Sequence, residues 1–229
     1  MIDLKELERE ALRVYGRYAE EVVEGLSFCP WARTAREEGK VTRVVITSDP
    51  PLVDVVVGAV EEQGRLPHVS ISLVIFPRAT MDCAPFKDFV AEVRDAYAAN
   101  SHGDAGFAMA EFHPNAPVDA DSPGRLTSFI RRSPDPTIQL VRLSTLAEVR
   151  ASEDQGTSYV DPADLALMSP ASMRRKEPLS QRIAKANRRA IEQRGLSEVA
   201  KIMNDIIDDR NRSYARLGVV DPKWRRPCA

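Results

Sequence analysis

A histidine after an apolar run is the first residue in this sequence whose type and position could do chemistry. The segment GFAMAEF (106–112) predicts a buried strand, and His113-Pro114 ends it because proline cannot continue a strand ladder. An imidazole titrates near about pH 6.5, so His113 could be a general acid or base. It could instead ligate a metal or a haem iron, or hydrogen-bond its own loop.

Cys29 is the second candidate, in the apolar turn LSFCPWA (26–32). A thiol becomes a nucleophile when a nearby cation or a helix N-terminus lowers its pKa, and Arg33 could be that cation. Cys29 could also be a thiolate ligand of haem, or a small buried apolar residue, which is the interpretation we favour. Cys83 and Cys228 have no comparable neighbours, and three cysteines without zinc spacing predict no metal site.

Two arginines lie directly before a Ser-Pro pair in the sequence. Arg131 and Arg132 directly precede Ser133, and a serine before a proline is typical of a helix start. Guanidinium forks and helix N-terminal amides both bind carboxylate or phosphate, so these residues predict an anion site. Arg142 could join them or pair with Glu111. The alternative is ion pairing with acidic residues of the same loop, namely Asp119, Asp121 and Asp135.

A further pair, Arg210-Asn211, lies on the last predicted helix, with Tyr214 one turn after Arg210. An arginine beside a buried apolar stripe usually pairs or extends its charged end to solvent, but it could also close a pocket over an anion. The expected catalytic residues are therefore His113 and Cys29. The expected substrate-binding residues are Arg131, Arg132, Ser133, Arg142, Arg210 and Asn211.

The elements that must position these residues alternate between helix and strand. An amphipathic helix from Leu4 is ended by Gly25, and apolar runs predict three strands separated by two helices: 41–47, 68–76 and 105–112 for the strands, and about 50–63 and 85–100 for the helices. We expect an α/β fold with a small, mainly parallel sheet of three or four strands and flanking N- and C-terminal helices. His113 then falls at the carboxyl edge, where such sheets bind ligands.

The second half of the chain is less regular. Residues 113–136 are rich in Pro, Asp and Ser, and apolar Leu126, Phe129 and Ile130 favour a loop that packs. The segment 137–142 could be a strand or a helix, and the Ser-Pro start makes us favour a helix. We expect an α/β core over 1–150 and a helical extension over 151–229 that packs on it, with helices at 180–194 and 196–217.

Four short motifs occur in the order found in a known family: FCPWA, FHP, RRSPDPTIQLVR and RNRSYARLG. They resemble a bacterial family of unknown activity, domain-of-unknown-function family 1415, whose motifs read LCPFA, FHP, NRSPYP before LLR, and RN before LG. The segment 151–200 looks like an insertion. Trp31 and Arg131 depart from the family pattern, and Gln139 stands where many members have histidine, which argues against a two-histidine metal site.

Composition limits the class of protein. The chain has 229 residues, 29 % of them charged, and a net charge of −2, so no global field attracts nucleic acid. We expect a cytoplasmic protein with no membrane contact, because no run of 18 apolar residues occurs and the N-terminus is too acidic for a signal peptide. The sequence leaves open whether the protein forms a homodimer.

Three functions remain. GxGxxG, P-loop, GxSxG and HExxH motifs are missing, which gives nicotinamide, ATP and common hydrolase chemistry no support. The leading hypothesis is an enzyme acting on an anionic small molecule through the His/Arg/Cys site. The first alternative is a haem protein with His113 or Cys29 as axial ligand. The second is a non-catalytic interaction module that uses the basic helix within 171–195.

Overall fold

The structure is a computed structural model that describes residues 2–29, 31–100, 106–116, 131–154, 191 and 193–219. No helix within these ranges is long and apolar enough to cross a membrane. The elements in chain order are α1 (Leu4–Arg17), a π-helical segment (Tyr18–Glu24), α2 (Ala32–Glu37), β1 (Val41–Val45), α3 (Val53–Gly64), β2 (Ile71–Ile75), α4 (Cys83–Asn100), β3 (Phe107–Phe112), β4 (Thr137–Arg142), α5 (Leu143–Asp154) and α6 (Leu196–Arg216).

The described strands form one four-stranded sheet in the order β1-β2-β4-β3. β1 and β2 pair in parallel, whereas β4 is antiparallel to both β2 and β3. The prediction of mixed helix and sheet with flanking helices is confirmed. The prediction of a mainly parallel sheet is wrong, because β4 enters between β2 and β3 in the opposite direction. β1, β2 and β3 still point the same way, so their carboxyl ends share one edge.

The segment 137–142 is a strand, and the preference for a helix there was wrong. Its residues alternate between the two faces, with Ile138 and Leu140 fully buried on one of them. The Ser-Pro step misled the prediction because Ser133 does not cap a helix. Its hydroxyl donates to the carbonyl of Asp135 and folds the chain back just before the strand begins.

The sheet separates two hydrophobic cores. On β2, Leu73 and Ile75 face α1, the π-helical segment and α6, whereas Val74 faces α3 and α4. This alternation is what a strand buried on both faces requires. The second core also contains several phenylalanine side chains in edge-to-face contact, namely Phe76, Phe86 and Phe89.

Several predicted features lie outside the described residues. They include the apolar residues of the 113–136 loop, most of the basic stretch 174–194, and the predicted helix 180–194 apart from its end. The described part of the C-terminal extension is mainly α6. Its buried residues Val199, Met203 and Ile206 share a core with α1, so this helix packs on the α/β core.

Candidate functional site

The carboxyl edge of the sheet brings two of the sequence motifs together. His113 directly follows β3, and Phe112 pairs with Thr137, the first residue of β4. The His113 amide donates to the carbonyl of Arg131 at 3.0 Å, and the Phe76 amide after β2 donates to the carbonyl of Pro136 at 2.9 Å. The His-Pro and Arg-Arg-Ser-Pro segments are therefore neighbours at this edge.

His113 is held by hydrogen bonds at both ring nitrogens. The backbone amide of Asn115 donates to Nδ1 at 3.1 Å, and Nε2 lies 3.0 Å from the carbonyl of Met81. An amide can only donate and a carbonyl can only accept, so Nδ1 carries the lone pair and Nε2 carries the proton. The side chain is 1 % exposed and contacts the Phe86 ring, and this burial lowers the pKa of His113.

This arrangement makes His113 a neutral brace between loops. It joins the end of β3 to the segment between β2 and α4 through Met81, and to its own turn through Asn115. Nδ1 is the basic atom of the ring, but the Asn115 amide occupies it. Proton transfer or metal ligation at Nδ1 would require that hydrogen bond to open.

Arg131 and Arg132 are adjacent but differ in their surroundings. Arg132 is 9 % exposed, and its Nε donates to the carbonyl of Ala116 at 2.7 Å, so it closes the turn after His113. The Arg131 side chain is 38 % exposed. Its guanidinium lies 3.7 Å from a carboxylate oxygen of Glu111 and stacks near the Phe112 ring, 5.9 Å from its centre. A separation of 3.7 Å is longer than a hydrogen bond. The guanidinium of Arg131 is therefore more available than that of Arg132 to donate hydrogen bonds to a ligand.

A buried carboxylate at this edge, Asp135, accepts hydrogen bonds from two residues of α6. Its Oδ1 accepts from Nε of Arg210 at 2.9 Å, and its Oδ2 accepts from the hydroxyl of Tyr214 at 2.7 Å. Asp135 is fully buried, and Arg210 is 2 % exposed. Burial raises the pKa of Tyr214 well above its usual value, and the negative charge of Asp135 adds to that shift. Tyr214 therefore remains a hydrogen-bond donor.

The remaining donors of Arg210 are also used within the fold. One terminal nitrogen donates to the carbonyl of Pro77 after β2 at 3.1 Å, and the other donates to Oδ1 of Asn211 at 3.0 Å. The guanidinium also lies over the Tyr214 ring, 4.2 Å from its centre. Arg210 and Tyr214 thus fix α6 to the carboxyl edge, and Asn211 holds the Arg210 guanidinium from within the helix. We call Asp135, Arg210 and Tyr214 the polar clamp.

The polar clamp was only partly visible in the sequence. Asp135 appeared there as one of several acidic residues that could pair with Arg131 or Arg132, and its actual partner is Arg210. The useful signal was the helical spacing of Arg210 and Tyr214 on an apolar stripe, which predicts two polar groups aimed at the core. Ser133 and Thr137 both donate to the carbonyl of Asp135 and fix its position.

Arg142 lies at the opposite edge of the sheet and does not join Arg131 and Arg132, nor does it pair with Glu111. Its Nε donates to the carbonyl of Val69 at 2.7 Å, and one terminal nitrogen donates to that of Leu66 at 2.9 Å. Its guanidinium also lies 4.9 Å from the centre of the Phe107 ring. The reversed direction of β4 places Arg142 at the amino end of β2, where it satisfies carbonyls after α3.

Cys29 follows the π-helical segment and is half-buried. Burial raises the pKa of its thiol, although backbone hydrogen bonds from Trp31 and Ala32 act in the other direction. Arg33 lies 3.6 Å from the buried carboxylate of Glu24, and it is not among the groups that shift the pKa of the thiol. The neighbouring Phe28 belongs to the core on the α1 and α6 side, whereas His113 contacts the other core. The described contacts do not bring Cys29 to His113.

The residues expected to hold haem do not fit that role in this structure. Both ring nitrogens of His113 are in hydrogen bonds, and the Cys29 thiol has a raised pKa, whereas an axial ligand must offer an imidazole lone pair or a thiolate. Within the described residues, no group of three or more His, Cys, Asp or Glu side chains could hold a metal ion.

Comparison with known proteins gives one match. The model of a family described as a protein of unknown function, DUF1415, matches residues 11–169. The matched range includes the FCPWA, FHP and RRSPDPTIQLVR motifs, and it ends before Arg210. No curated protein and no solved structure matches the chain. The family model covers more than half of the sequence, and the chain therefore belongs to the DUF1415 family.

Proposed function

We propose that the protein is an enzyme that acts on an anionic small molecule, a carboxylate or a phosphate, at the carboxyl edge of the sheet. The observation that carries this proposal is the position of Arg131. Its side chain is 38 % exposed at that edge, and among the described residues its charged partner is Glu111 at 3.7 Å, which is beyond hydrogen-bond distance. A guanidinium has donors in a fork that matches a carboxylate or phosphate, so Arg131 is suited to bind the anion first.

Arg132 and His113 support this site in different ways. Arg132 holds the turn after His113 through the carbonyl of Ala116, and the His113 amide holds the backbone of Arg131. Both contacts fix the loop that presents Arg131 to solvent. Arg210 contributes through the polar clamp, which fixes the segment between Arg131 and β4, and Asn211 contributes by accepting a hydrogen bond from Arg210. In this proposal they position the site and do not touch the anion.

His113 is also the candidate base for the reaction. The proton on Nε2 is fixed by the Met81 carbonyl, so the basic atom is Nδ1, which accepts from the Asn115 amide. A substrate that drew the Asn115 amide away from Nδ1 would uncover a neutral imidazole at pH 7, because burial keeps its pKa low. Ser133 donates to the Asp135 carbonyl and has a structural role here.

The experiment is a calorimetric titration of the protein with inorganic phosphate, pyrophosphate and citrate at constant ionic strength. We expect at least one of these anions to saturate a single site, and Arg131→Ala to weaken its binding tenfold or more, about 1.4 kcal/mol. Arg65→Ala is the control, since it removes another exposed arginine at the opposite edge. Equal losses in the two variants, or no saturable binding by any probe, would refute the site.

Neither alternative function is favoured by a specific observation. For haem, His113 would have to give up its hydrogen bond with Asn115, and burial raises the pKa of the Cys29 thiol. The interaction module would use the basic stretch within 171–195, nearly all of which lies outside the described residues. In its described part, Arg194 forms an ion pair with Glu198 on the first turn of α6, 3.1 Å apart.

A further inference from the structure

A second site is indicated by a cleft between α1 and α6. The cleft has a volume of about 340 Å³, which is at the lower end of the range of small-molecule pockets. It is lined by Glu6, Glu10, Arg13, Asp209, Arg212, Ser213, Arg216 and Leu217. Three of these residues carry carboxylates and three carry guanidinium groups, so the lining is neutral as a whole.

The charges are sorted into two walls. Glu6 and Glu10 lie one turn apart on α1, and Arg212 and Arg216 lie one turn apart on α6. The wall from α1 is therefore acidic, and the wall from α6 is basic. A ligand in the cleft meets negative charge on one side and positive charge on the other.

An ion pair that joins α1 to α6 is also part of the cleft lining. Two terminal nitrogens of Arg13 donate to the two carboxylate oxygens of Asp209 at 2.8 and 3.0 Å, and Arg17 adds a third contact at 2.7 Å. These hydrogen bonds, those of Arg13 first, lower the pKa of Asp209 to about 2. Asp209 therefore stays ionised at neutral pH, and its pairs with Arg13 and Arg17 join α1 to α6.

The guanidinium groups of the basic wall have no hydrogen-bond acceptor among the described residues. Arg212 and Arg216 are exposed, and neither forms an ion pair or a side-chain hydrogen bond with the described part of the chain. Within the described part of the chain, the ion pairs of the acidic wall are with its own helix, Glu6 with Arg9 and Glu10 with Arg13. Such exposed pairs contribute little, about 0–1 kcal/mol, so a ligand ammonium can compete for these carboxylates.

We propose that this cleft binds a small zwitterion that carries one ammonium and one carboxylate, such as a free amino acid or a short peptide. Glu6 and Glu10 receive the ammonium, which has three hydrogen-bond donors. Arg212 and Arg216 receive the carboxylate in a fork geometry. Leu217 offers a small apolar contact at the end of the cleft. This inference does not rest on the anion site of the proposed function.

The test is a titration of the full chain with four probes, alanine, dialanine, N-acetylalanine and alaninamide, followed by calorimetry or by NMR shifts. We expect alanine or dialanine to saturate a single site below about 10 mM, with the acetylated and amidated probes at least tenfold weaker. Tighter binding of alanine or of dialanine would identify the length of the ligand. If N-acetylalanine binds as well as the zwitterions, the cleft is an ordinary anion site and the proposal fails.

Variants locate the binding. Arg212→Gln combined with Arg216→Gln should weaken the zwitterion at least tenfold, and so should Glu6→Gln with Glu10→Gln. Both double variants change side chains that are exposed or half-buried. An unchanged circular dichroism spectrum would show that the variants fold. Arg194→Gln is the matched control, because it also replaces an exposed arginine by glutamine but at a position outside the cleft lining. Unchanged affinity in both double variants, or no saturation by either zwitterion, would overturn the proposal.

Discussion

Nε of Arg210 donates to Oδ1 of Asp135 at 2.9 Å, although 75 residues separate them in the chain, and both side chains are almost completely buried. Through this contact the last helix is fixed to the segment that leads into β4. The Tyr214 hydroxyl satisfies the second oxygen of the same carboxylate. A buried pair of this kind is costly to break on one side, because the remaining charge has no partner.

Asp135→Asn should therefore destabilise the protein strongly. It leaves the buried guanidinium of Arg210 without a counter-charge, and we expect a loss of roughly 3–5 kcal/mol in the free energy of unfolding. Tyr214→Phe removes only one hydrogen bond to the carboxylate and should cost about 1–3 kcal/mol. Urea unfolding followed by circular dichroism measures both changes.

The control for the polar clamp is an exposed ion pair between Arg194, just before α6, and Glu198 in the first turn of α6. Arg194→Met removes the pair with Glu198, whose side chains are about half exposed, and should change stability by about 0.5 kcal/mol or less. A loss for Asp135→Asn no larger than this control would show that the Arg210 contact does not hold α6 in solution.

His113 predicts a pH dependence of stability. Burial lowers its pKa in the folded protein below the ordinary value of 6.5, so unfolding favours proton uptake as the pH falls. The stability that the neutral ring contributes is complete above about pH 6.5 and is lost as the pH falls through the folded pKa. Urea unfolding of wild type and His113→Gln at several pH values should show this slope in wild type and a smaller slope in the variant.

An exposed histidine provides the comparison for that experiment. His68→Gln should keep the wild-type slope, because His68 is exposed and is not one of the residues, His113, Met81 and Asn115, that join the loops. The variant His113→Gln should also be less stable at pH 7, by about 1–3 kcal/mol, since the hydrogen bonds to Met81 and Asn115 are changed. Parallel slopes in all three proteins would contradict a buried neutral ring.

Arg142→Met tests the corrected position of Arg142. The substitution leaves the carbonyls of Val69 and Leu66 without their guanidinium donor, and we expect a loss of about 1–3 kcal/mol. Binding of phosphate, pyrophosphate or citrate should stay unchanged, because Arg142 lies at the far edge of the sheet. Arg65→Met, at an exposed position near the same helix end, should cost much less. Weaker anion binding in Arg142→Met would contradict the assignment of the anion site to Arg131.

Two glycines near the N-terminal helix make a matched pair. A Cβ atom on Gly25 would lie 2.6 Å from the carbonyl oxygen of Glu21, so the turn after the π-helical segment would have to shift. Gly25→Ala should cost roughly 1–3 kcal/mol. Gly16 lies inside α1 with nothing within 4 Å of its Cβ position, and Gly16→Ala should stabilise by about 0.5–1 kcal/mol. Thermal melts of the two variants should therefore move in opposite directions.

The family match and the polar clamp do not cover the same residues. The DUF1415 model ends at residue 169, so it includes Asp135 but not Arg210 or Tyr214. The carboxylate within the matched range thus depends on partners supplied by α6, beyond it. A variant that removes Arg210 should accordingly disturb the Ser133 to Thr137 segment inside the matched range, which NMR shifts of that segment would detect.

The sequence by itself determined the alternation of elements and the position of His113. Apolar runs and helical stripes are local patterns, so β1, α3, β2, α4 and β3 could be predicted from them. The rule that His-Pro ends a strand then placed His113 after β3. The four motifs also indicated the family, which the match over residues 11–169 confirms.

Only the tertiary structure decided the direction of β4 and the partners of the charged residues. A six-residue apolar segment has the same composition in a parallel strand, an antiparallel strand or a short helix, and its pairing depends on strands far away in sequence. Once β4 runs antiparallel, its first residue lies at the carboxyl edge and its last at the amino edge. The antiparallel direction of β4 therefore places Asp135 next to Arg210 and places Arg142 at the opposite edge from Arg131.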